Sequence, residues 1–400
     1  MPELLLELLS EEIPARMQAG AAVQLERLVV DALKEEGLEA KDAKAFVTPR
    51  RLALFIRDLP VKTADVRDER KGPRVGAPEA AIQGFLRSTG LASTADLKTK
   101  NDGKGEFYVA VIETPGRATV NVLAEIIPAI VANFHWPKSM RWGASTMRWV
   151  RPLHNVLCIF GGKVVPLAID TGDGILRANH NTYGHRFLAP QQLHITSFED
   201  YWEQLLRAHV VLDGAERKEI IMRDLTRLAA AEGLEPIEDV GLLEEVAGLV
   251  EDPVVLIGKI DKEFLDVPPE VLSTAMRAHQ KYFSLRDAKT KKFAPRFGVV
   301  ANLRAKDGGK GIIAGNERVL RARLSDARFF WDQDRKRTLE SRVRDLEGIV
   351  YQDWPVSLRT IYDKVTRIRS TISTDLLVRA LNYNYDLAEQ AAVLCKADLT

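Results

Sequence analysis

Strand-like and helix-like hydrophobic patterns interleave through the first 315 residues, and from about Asn316 the strand pattern stops. That switch predicts an α+β chain, with mixed α/β N-terminal and central modules followed by an all-helical region. No self-similar period runs through it, which argues against a repeat solenoid. At 400 residues the chain is too long for one ordinary compact domain and long enough to bury several cores.

The element signals are local. Glu3 to Leu9 is short and apolar; Pro14 then stands near a helix start, and Met17, Ala21, Leu25, Leu28 and Ala32 repeat at helical spacing until Gly37. Phe46–Thr48 and Leu52–Ile56 flank Pro49-Arg50-Arg51 as strand, tight link and strand. Val61 to Pro78, charged and punctuated by Gly72, Pro73, Gly76 and Pro78, reads as a connector before a helix at Ala80–Ser88. Glu106–Glu113 alternates like a strand, and Val120 to Phe134 carries one apolar helical face. Val156–Phe160 and Lys163–Ile169, joined by Gly161-Gly162, predict a hairpin. Asp213 to Glu216 has the side-chain types of a capping box opening a helix to about Ala231. Further strands are expected at Val254–Ile260, Tyr282–Leu285 and Phe297–Ala301, with Pro268-Pro269 starting a short helix between the first two. Glu317–Ile349, Leu358–Ile372 and Leu387–Leu399 read as helices. The last of these ends while still apolar at Ala388, Ala391, Ala392, Cys395 and Leu399, so a truncated helical domain with an exposed stripe is expected.

The charge balance, 57 basic against 56 acidic side chains, conceals an uneven distribution. Val271 to Arg337 holds 17 Lys and Arg against 6 Asp and Glu, a net of +11 against a remainder of −10, and is a candidate anion-facing surface. Ile126 to Ile169 has five cations and no carboxylate, interleaved with Trp136, Trp142 and Trp149. Within it, Lys138, Arg141, Arg148 and Arg151 could meet RNA, guanidinium on phosphate and indole on base; equally, the tryptophans could be core and the arginines paired with acids elsewhere. In Glu317–Trp331 the residues Val319, Leu320, Leu324, Ala327 and Trp331 form an apolar stripe, so its aromatics read as core, while Arg321, Arg328 and Arg335 share another face.

Several chemistries lack their signatures. No phosphate loop of the Gly-x-x-x-x-Gly-Lys-Ser/Thr type occurs, and Asp307 to Gly311 reads as a turn. No Gly-x-Ser-x-Gly elbow and no His-Glu-x-x-His helix are found. Gly315-Asn316-Glu317-Arg318 has the residues of an ATP-binding motif of class II tRNA synthetases without its preceding glycine alternation, and reads as a helix start. His180 and His185 have no close carboxylate or cysteine, so packing is the expectation over a metal. No histidine follows His279. Cys158 and Cys395 form no metal-ligand spacing, and the acidic start, Met1 to Glu12, is unlike a signal peptide; a cytoplasmic address with no membrane partner is expected.

A series of motifs then falls in order: Leu9-Ser-Glu11-Glu12-Ile-Pro14, Thr48-Pro49-Arg50-Arg51-Leu52-Ala53, Lys71-Gly72-Pro73, Met140-Arg141-Trp142-Gly143, Val150-Arg151-Pro152, Gly184-His185-Arg186-Phe187-Leu188, Leu243-Glu244-Glu245-Val246, His279-Gln280-Lys281-Tyr282-Phe283, Gly315-Asn316-Glu317-Arg318 and Leu324-Ser325-Asp326-Ala327. Together they resemble, over essentially the whole chain, the β subunit of the bacterial heterotetrameric glycyl-tRNA synthetase. The resemblance implies a non-catalytic subunit that binds tRNA(Gly) and an α subunit in an α2β2 assembly, and that supports attachment of glycine to tRNA. It implies that ATP and Mg are used through the α subunit, with no cofactor or metal on this chain and no catalytic residue. It further implies an N-terminal α+β module at 1–60, a central region at 61–315 related to a phenylalanyl-tRNA synthetase module, a basic helix and linker at 316–352, and a truncated HD-like start at 353–400. Lys396 and Asp398 would be the degenerate counterpart of its His-Asp pair. RNA-contact candidates are Lys138, Arg141, Arg148, Arg151, Arg186, Lys281, Arg318, Arg321 and Arg328. The competing readings are an HD-type phosphohydrolase with a regulatory module, against which the lack of later histidines speaks, and a stand-alone RNA-binding protein.

Overall fold

The computed structural model describes residues 2–101, 103, 105–352, 359–372 and 384–400. The chain divides into two units, one of Met1–Ile257, Lys281–Ala294 and Gly298–Ile313, the other of Gly258–Gln280, Pro295–Phe297 and Ala314–Thr400.

The first unit opens with strand β1 (Leu4–Ser10), helix α1 (Ala15–Glu35), and strands β2 (Asp42–Val47) and β3 (Arg51–Arg57). Pro14 precedes the first turn of α1, where its fixed φ suits helix entry, and Gly37 at φ 78° ends the helix in the left-handed region. Strand β4 (Val66–Arg74), helix α2 (Glu79–Thr89), strands β5 (Lys98–Asn101) and β6 (Glu106–Thr114) and helix α3 (Thr119–Ala132) follow. Strands β7 (Leu153–Phe160) and β8 (Lys163–Val164) complete the main antiparallel sheet, in the order β2-β3-β1-β7-β8.

Strand β1 is buried throughout, and its alternation divides two cores. Leu4, Leu6 and Leu8 face a cluster with Leu25 and Val29 of α1 and Ile127 and Val131 of α3, whereas Leu5 joins Phe46, Phe55 and Leu157 on the other face. The second face is covered by helix α4 (Phe198–Arg207), through Tyr201 and Leu205.

Two expectations are corrected here. Residues 61–78 are no plain connector: β4 runs through them, pairing with β6 from Val66↔Thr114 to Lys71↔Val109 in a sheet ordered β4-β6-β5. Charge does not interrupt a strand whose faces are solvated and whose charges have partners, as in the 2.5 Å Lys100–Glu69 pair. Gly72 sits at the register shift before Arg74 because a Cβ there would lie 2.4 Å from the Phe85 ring of α2. The predicted hairpin is also shorter than expected. Lys163 and Val164 pair back onto β7 and the Val165 N–H adds one bond to the Cys158 carbonyl at 3.0 Å, but Pro166, with no N–H to give, precedes β9 (Ala168–Asp170), which pairs instead with β10 (Ile175–Arg177).

Strands β11 (Asn181–Tyr183) and β12 (Gln192–His194) form a two-stranded ribbon. Helix α5 (Gly214–Ala230) starts as expected, with the Asp213 carboxylate accepting from the Ala215 N–H at 2.8 Å. Strand β13 (Leu234–Pro236), helix α6 (Val240–Ala247) and strands β14 (Val254–Lys259), β15 (Phe283–Asp287) and β16 (Phe293–Ala301) complete the list, the sheet order being β13-β15-β16-β14.

The second unit contains helix α7 (Pro269–Ala275), which widens into a π-turn at Met276–Gln280. Helix α8 (Lys310–Asp334) begins earlier than predicted, because Asp307 accepts the Gly309 and Gly311 N–H groups at 2.9 and 2.8 Å. The glycine-rich turn is therefore a helix entry, and Gly315 to Arg318 lies inside the helix instead of starting it. Helix α9 (Leu339–Arg342), capped by Thr338, follows, so the long helix expected to Ile349 is broken. Strand signals do not end at Asn316 either: β17 (Val350–Gln352) pairs with β18 (Arg359–Thr360). Helices α10 (Ile361–Ile372) and α11 (Tyr385–Leu394) follow. Leu346, Ile361 and Val365 form a small core. Ala392 is buried, while Ala391, Cys395 and Leu399 are exposed. Much of the expected HD-like segment, residues 353–358 and 373–383, lies outside the described residues. No helix among the described residues is long and apolar enough to cross a membrane.

Candidate nucleic-acid interface and a charged cavity

The Trp/Arg stretch separates its two kinds of side chain. Met140 and Trp149 form an isolated antiparallel bridge, with N–H···O distances of 2.8 and 3.3 Å, which closes a loop carrying Arg141 and Arg148 just inside its neck. Gly143 turns the loop at φ 55°. On its return arm Ser145, Met147 and Trp149 are buried, whereas Thr146 and Arg148 are exposed, a strand period of two. Thr171 anchors that arm: its carbonyl accepts the Thr146 and Met147 N–H groups at 3.0 and 3.1 Å. Trp136 and Trp149 pack with Phe134 at ring-centroid distances of 5.0 to 5.2 Å. The indoles are thus core, and the stacking role considered for them falls away for Trp136 and Trp149. Lys138, Arg141 and Arg148 are exposed and in no ion pair among the described residues. Arg151 is half-buried, its guanidinium on the Val150 carbonyl at 2.7 Å.

The other predicted cations, Arg318 excepted, have partners. Arg186 meets Glu11 at 3.1 Å and Lys281, in the left-handed region at φ 58°, meets Glu245 at 3.0 Å. Arg321 binds Asp261 at 2.5 Å, and Arg328 donates to the Glu263 carbonyl at 2.7 Å. Arg318 alone of those on α8 named above is exposed without an ion pair among the described residues. Phe329 and Phe330, read as core, are 57% and 63% exposed instead. The helix buries only Leu320 and Leu324, and the Phe pair lies well round the helix from that stripe. Lys396 and Asp398 belong to the last short turn, with Asp398 exposed.

Sequence patterns did not reveal a buried charge cluster at the main sheet. Arg51 is fully buried on β3 between Glu7 of β1, 3.2 Å away, and Glu251, and it also donates to the Tyr183 carbonyl. Glu7 accepts the Thr182 and Tyr201 hydroxyls at 2.5 and 2.6 Å; Glu251 accepts that of Thr48 at 2.7 Å. Burial alone would lower the Arg51 pKa, but Glu251 and Glu7 outweigh it and hold the guanidinium above its ordinary range. Burial likewise opposes ionisation of Glu251, yet Arg51 and the Thr48 hydroxyl keep its pKa below the ordinary 4.5. Arg217 donates to four carbonyls, of Ala247, Val211, Leu212 and Val47, and burial pushes it down to about 10. The only advance signal was a charged residue inside apolar runs, as in Leu4 to Leu9.

Next to this cluster lies a cavity of about 460 Å³ walled by Glu11, Arg50, His154, Tyr183 and Arg186. Three of the motif segments meet there: the one after β1, the Thr48–Arg51 link and the Gly184–Arg186 turn. Glu11 is held by His154 at 3.0 Å as well as by Arg186. His185, adjacent but fully buried, accepts the Phe187 and Leu188 N–H groups on Nδ1 at 3.3 and 3.2 Å, which places its proton on Nε2. Among the described residues, no group of three or more His, Cys, Asp and Glu is placed to hold a metal ion.

A family model described as the glycyl-tRNA synthetase beta subunit matches residues 4–400. Proteins named glycine–tRNA ligase beta subunit are similar along all of this chain: that of Rhodospirillum centenum at 49% identity, that of Dinoroseobacter shibae at 48% and that of Phenylobacterium zucineum at 50%. The chain spans 58%, 55% and 58% of the lengths of these three relatives. With the match running through both units, the chain belongs to the family of glycyl-tRNA synthetase beta subunits.

Proposed function

We propose that this chain is the tRNA-facing, non-catalytic part of a glycine–tRNA ligase, associating with an α subunit in an α2β2 assembly in the cytoplasm and supporting attachment of glycine to tRNA(Gly). The observation that carries the tRNA reading is the Met140–Trp149 loop with Arg141 and Arg148 and, just before it, Lys138, three exposed cations in no ion pair among the described residues, beside an aromatic core. A cation without a carboxylate partner gives up no ion pair when it meets phosphate, whereas Arg321 and Arg328 would have to break one or a hydrogen bond. Adenylate formation with ATP and Mg is assigned to the α subunit, and residues 353–400 to an HD-like region without a metal.

The test is affinity for tRNA(Gly) against salt concentration. Each of Lys138→Ala, Arg141→Ala and Arg148→Ala should weaken binding and flatten the log–log slope by about 0.7 to 0.9. Unchanged slopes in all three, with folding intact, would place the RNA surface elsewhere. Glycine-dependent pyrophosphate exchange by the chain free of any α subunit would overturn the non-catalytic assignment.

A further inference from the structure

The cavity beside the buried charge cluster holds an arginine that no carboxylate pairs with directly among the described residues. Arg50 is half-buried, its Nε is shielded from solvent without a hydrogen-bond partner, and its side chain is in no ion pair among the described residues. Its neighbour Arg51 differs in this respect, lying between two carboxylates. Burial lowers the Arg50 pKa; Glu251 and, more weakly, Glu11 act through space against this, while Arg51 and Arg186 add repulsion. Arg186 reaches the same cavity and spends part of its capacity on Glu11, whose other oxygen is taken by His154. The wall therefore presents two guanidinium groups and one carboxylate. A guanidinium is a planar fork of donors that matches carboxylate and phosphate oxygens, and a partly desolvated fork whose Nε lacks an acceptor is stabilised by an anion that brings one. The volume, about 460 Å³, is in the range of small-molecule sites.

We propose that this cavity is a binding site for a small ligand whose carboxylate or phosphate head is seated on Arg50 with help from Arg186. Glu11 acts as the internal competitor: it occupies Arg186 while the site is empty and opposes a second negative charge. The proposal is independent of RNA binding by the Lys138–Arg148 loop, because the two use different side chains.

Calorimetric titration of the 400-residue chain with inorganic phosphate and, separately, with acetate tests it, with thermal melting to confirm that each variant folds. Saturable binding of one equivalent is expected from at least one probe, and the probe that saturates identifies the head group. Arg50→Gln should weaken that binding at least tenfold, Arg50→Lys by an intermediate factor through loss of the fork, and Arg186→Gln about threefold. Glu11→Gln should tighten it, an effect that a merely structural role would not produce. Arg177→Gln, at an exposed cation outside the cavity, should leave it unchanged. Failure of both probes to saturate, an unaltered affinity in folded Arg50→Gln and Arg50→Lys, or an equal loss in Arg177→Gln would overturn the proposal.

Discussion

Around residues 134–149 the rings of Phe134, Trp136 and Trp149 point inward and Lys138, Arg141 and Arg148 outward, while on helix α8 Phe329 and Phe330 point outward and Arg321 and Arg328 are held by acceptors of their own unit. Both stretches are rich in the same two residue types, so composition does not decide which type a fold exposes. Backbone period does. On the arm from Ser145 to Trp149 a strand-like alternation sends every second side chain inside, and the arginine falls on the outer beat. On the helix, successive residues turn by about 100°, so a stripe centred on Leu320 and Leu324 leaves adjacent phenylalanines at 329 and 330 well outside it.

The largest expected difference is in stability. Trp149→Ala should cost about 3–5 kcal/mol, since it empties a site packed by Phe134 and Trp136, whereas Phe330→Ala should stay within about 0.5 kcal/mol. Urea unfolding of both variants reads this directly, and equal costs would abolish the contrast. The arginines provide a parallel pair. Arg51→Met leaves Glu7 and Glu251 buried without their cation and should cost about 3–5 kcal/mol, whereas Arg321→Met, at an exposed pair, should barely move the unfolding midpoint.

A smaller effect concerns acid. Glu251 has a folded pKa below its ordinary 4.5, so the stability it contributes is fully present above about 4.5 and is lost as pH falls through the lower folded value. Its contribution to the slope is at most about 1.4 kcal/mol per pH unit, one proton being taken up. Glu251→Gln should flatten the denaturation midpoint against pH in that acid window and leave the slope between pH 6 and 8 unchanged. A variant as acid-sensitive as the parent would move the effect to other carboxylates. Last comes an effect with no stability component: Arg321→Ala and Arg328→Ala should leave the salt slope for tRNA(Gly) within about 0.3 of the parent, against about 0.7 to 0.9 lost at Arg148→Ala.

Much of the fold was legible where one period dominated a whole element. The apolar repeat of Met17, Ala21 and Leu25, bracketed by Pro14 and Gly37, located α1 closely, and Asp213 marked the start of α5. Reading failed where a partner distant in sequence set the outcome. Strand β4 exists because β6 pairs with it, some forty residues later, and no local feature of Arg67 to Lys71 announces that. The start of α8 was missed because Asp307 caps it from inside the glycine-rich turn that precedes it. The candidate sites divide in the same way. Exposure of Arg148 follows from local alternation, but the cavity at Arg50 assembles segments about 40 and 140 residues apart, and only its motif segments were visible beforehand.

The placement of Glu7 also bears on how reliably the main sheet can form. Strand β1 contains five leucines around that one charge, and leucines alone would satisfy either face of the sheet in almost any alignment. Sliding the strand by a single residue exchanges its faces and drives the carboxylate among Leu25, Val29 and Ile127. Sliding it by two restores the faces but separates Glu7 from Arg51, Thr182 and Tyr201. Each misalignment strands a charge in hydrocarbon or deprives it of its partners, at several kcal/mol. One carboxylate thereby turns a degenerate leucine strand into an addressed one, and the chain can recognise a wrong pairing during folding before the surrounding helices close over it.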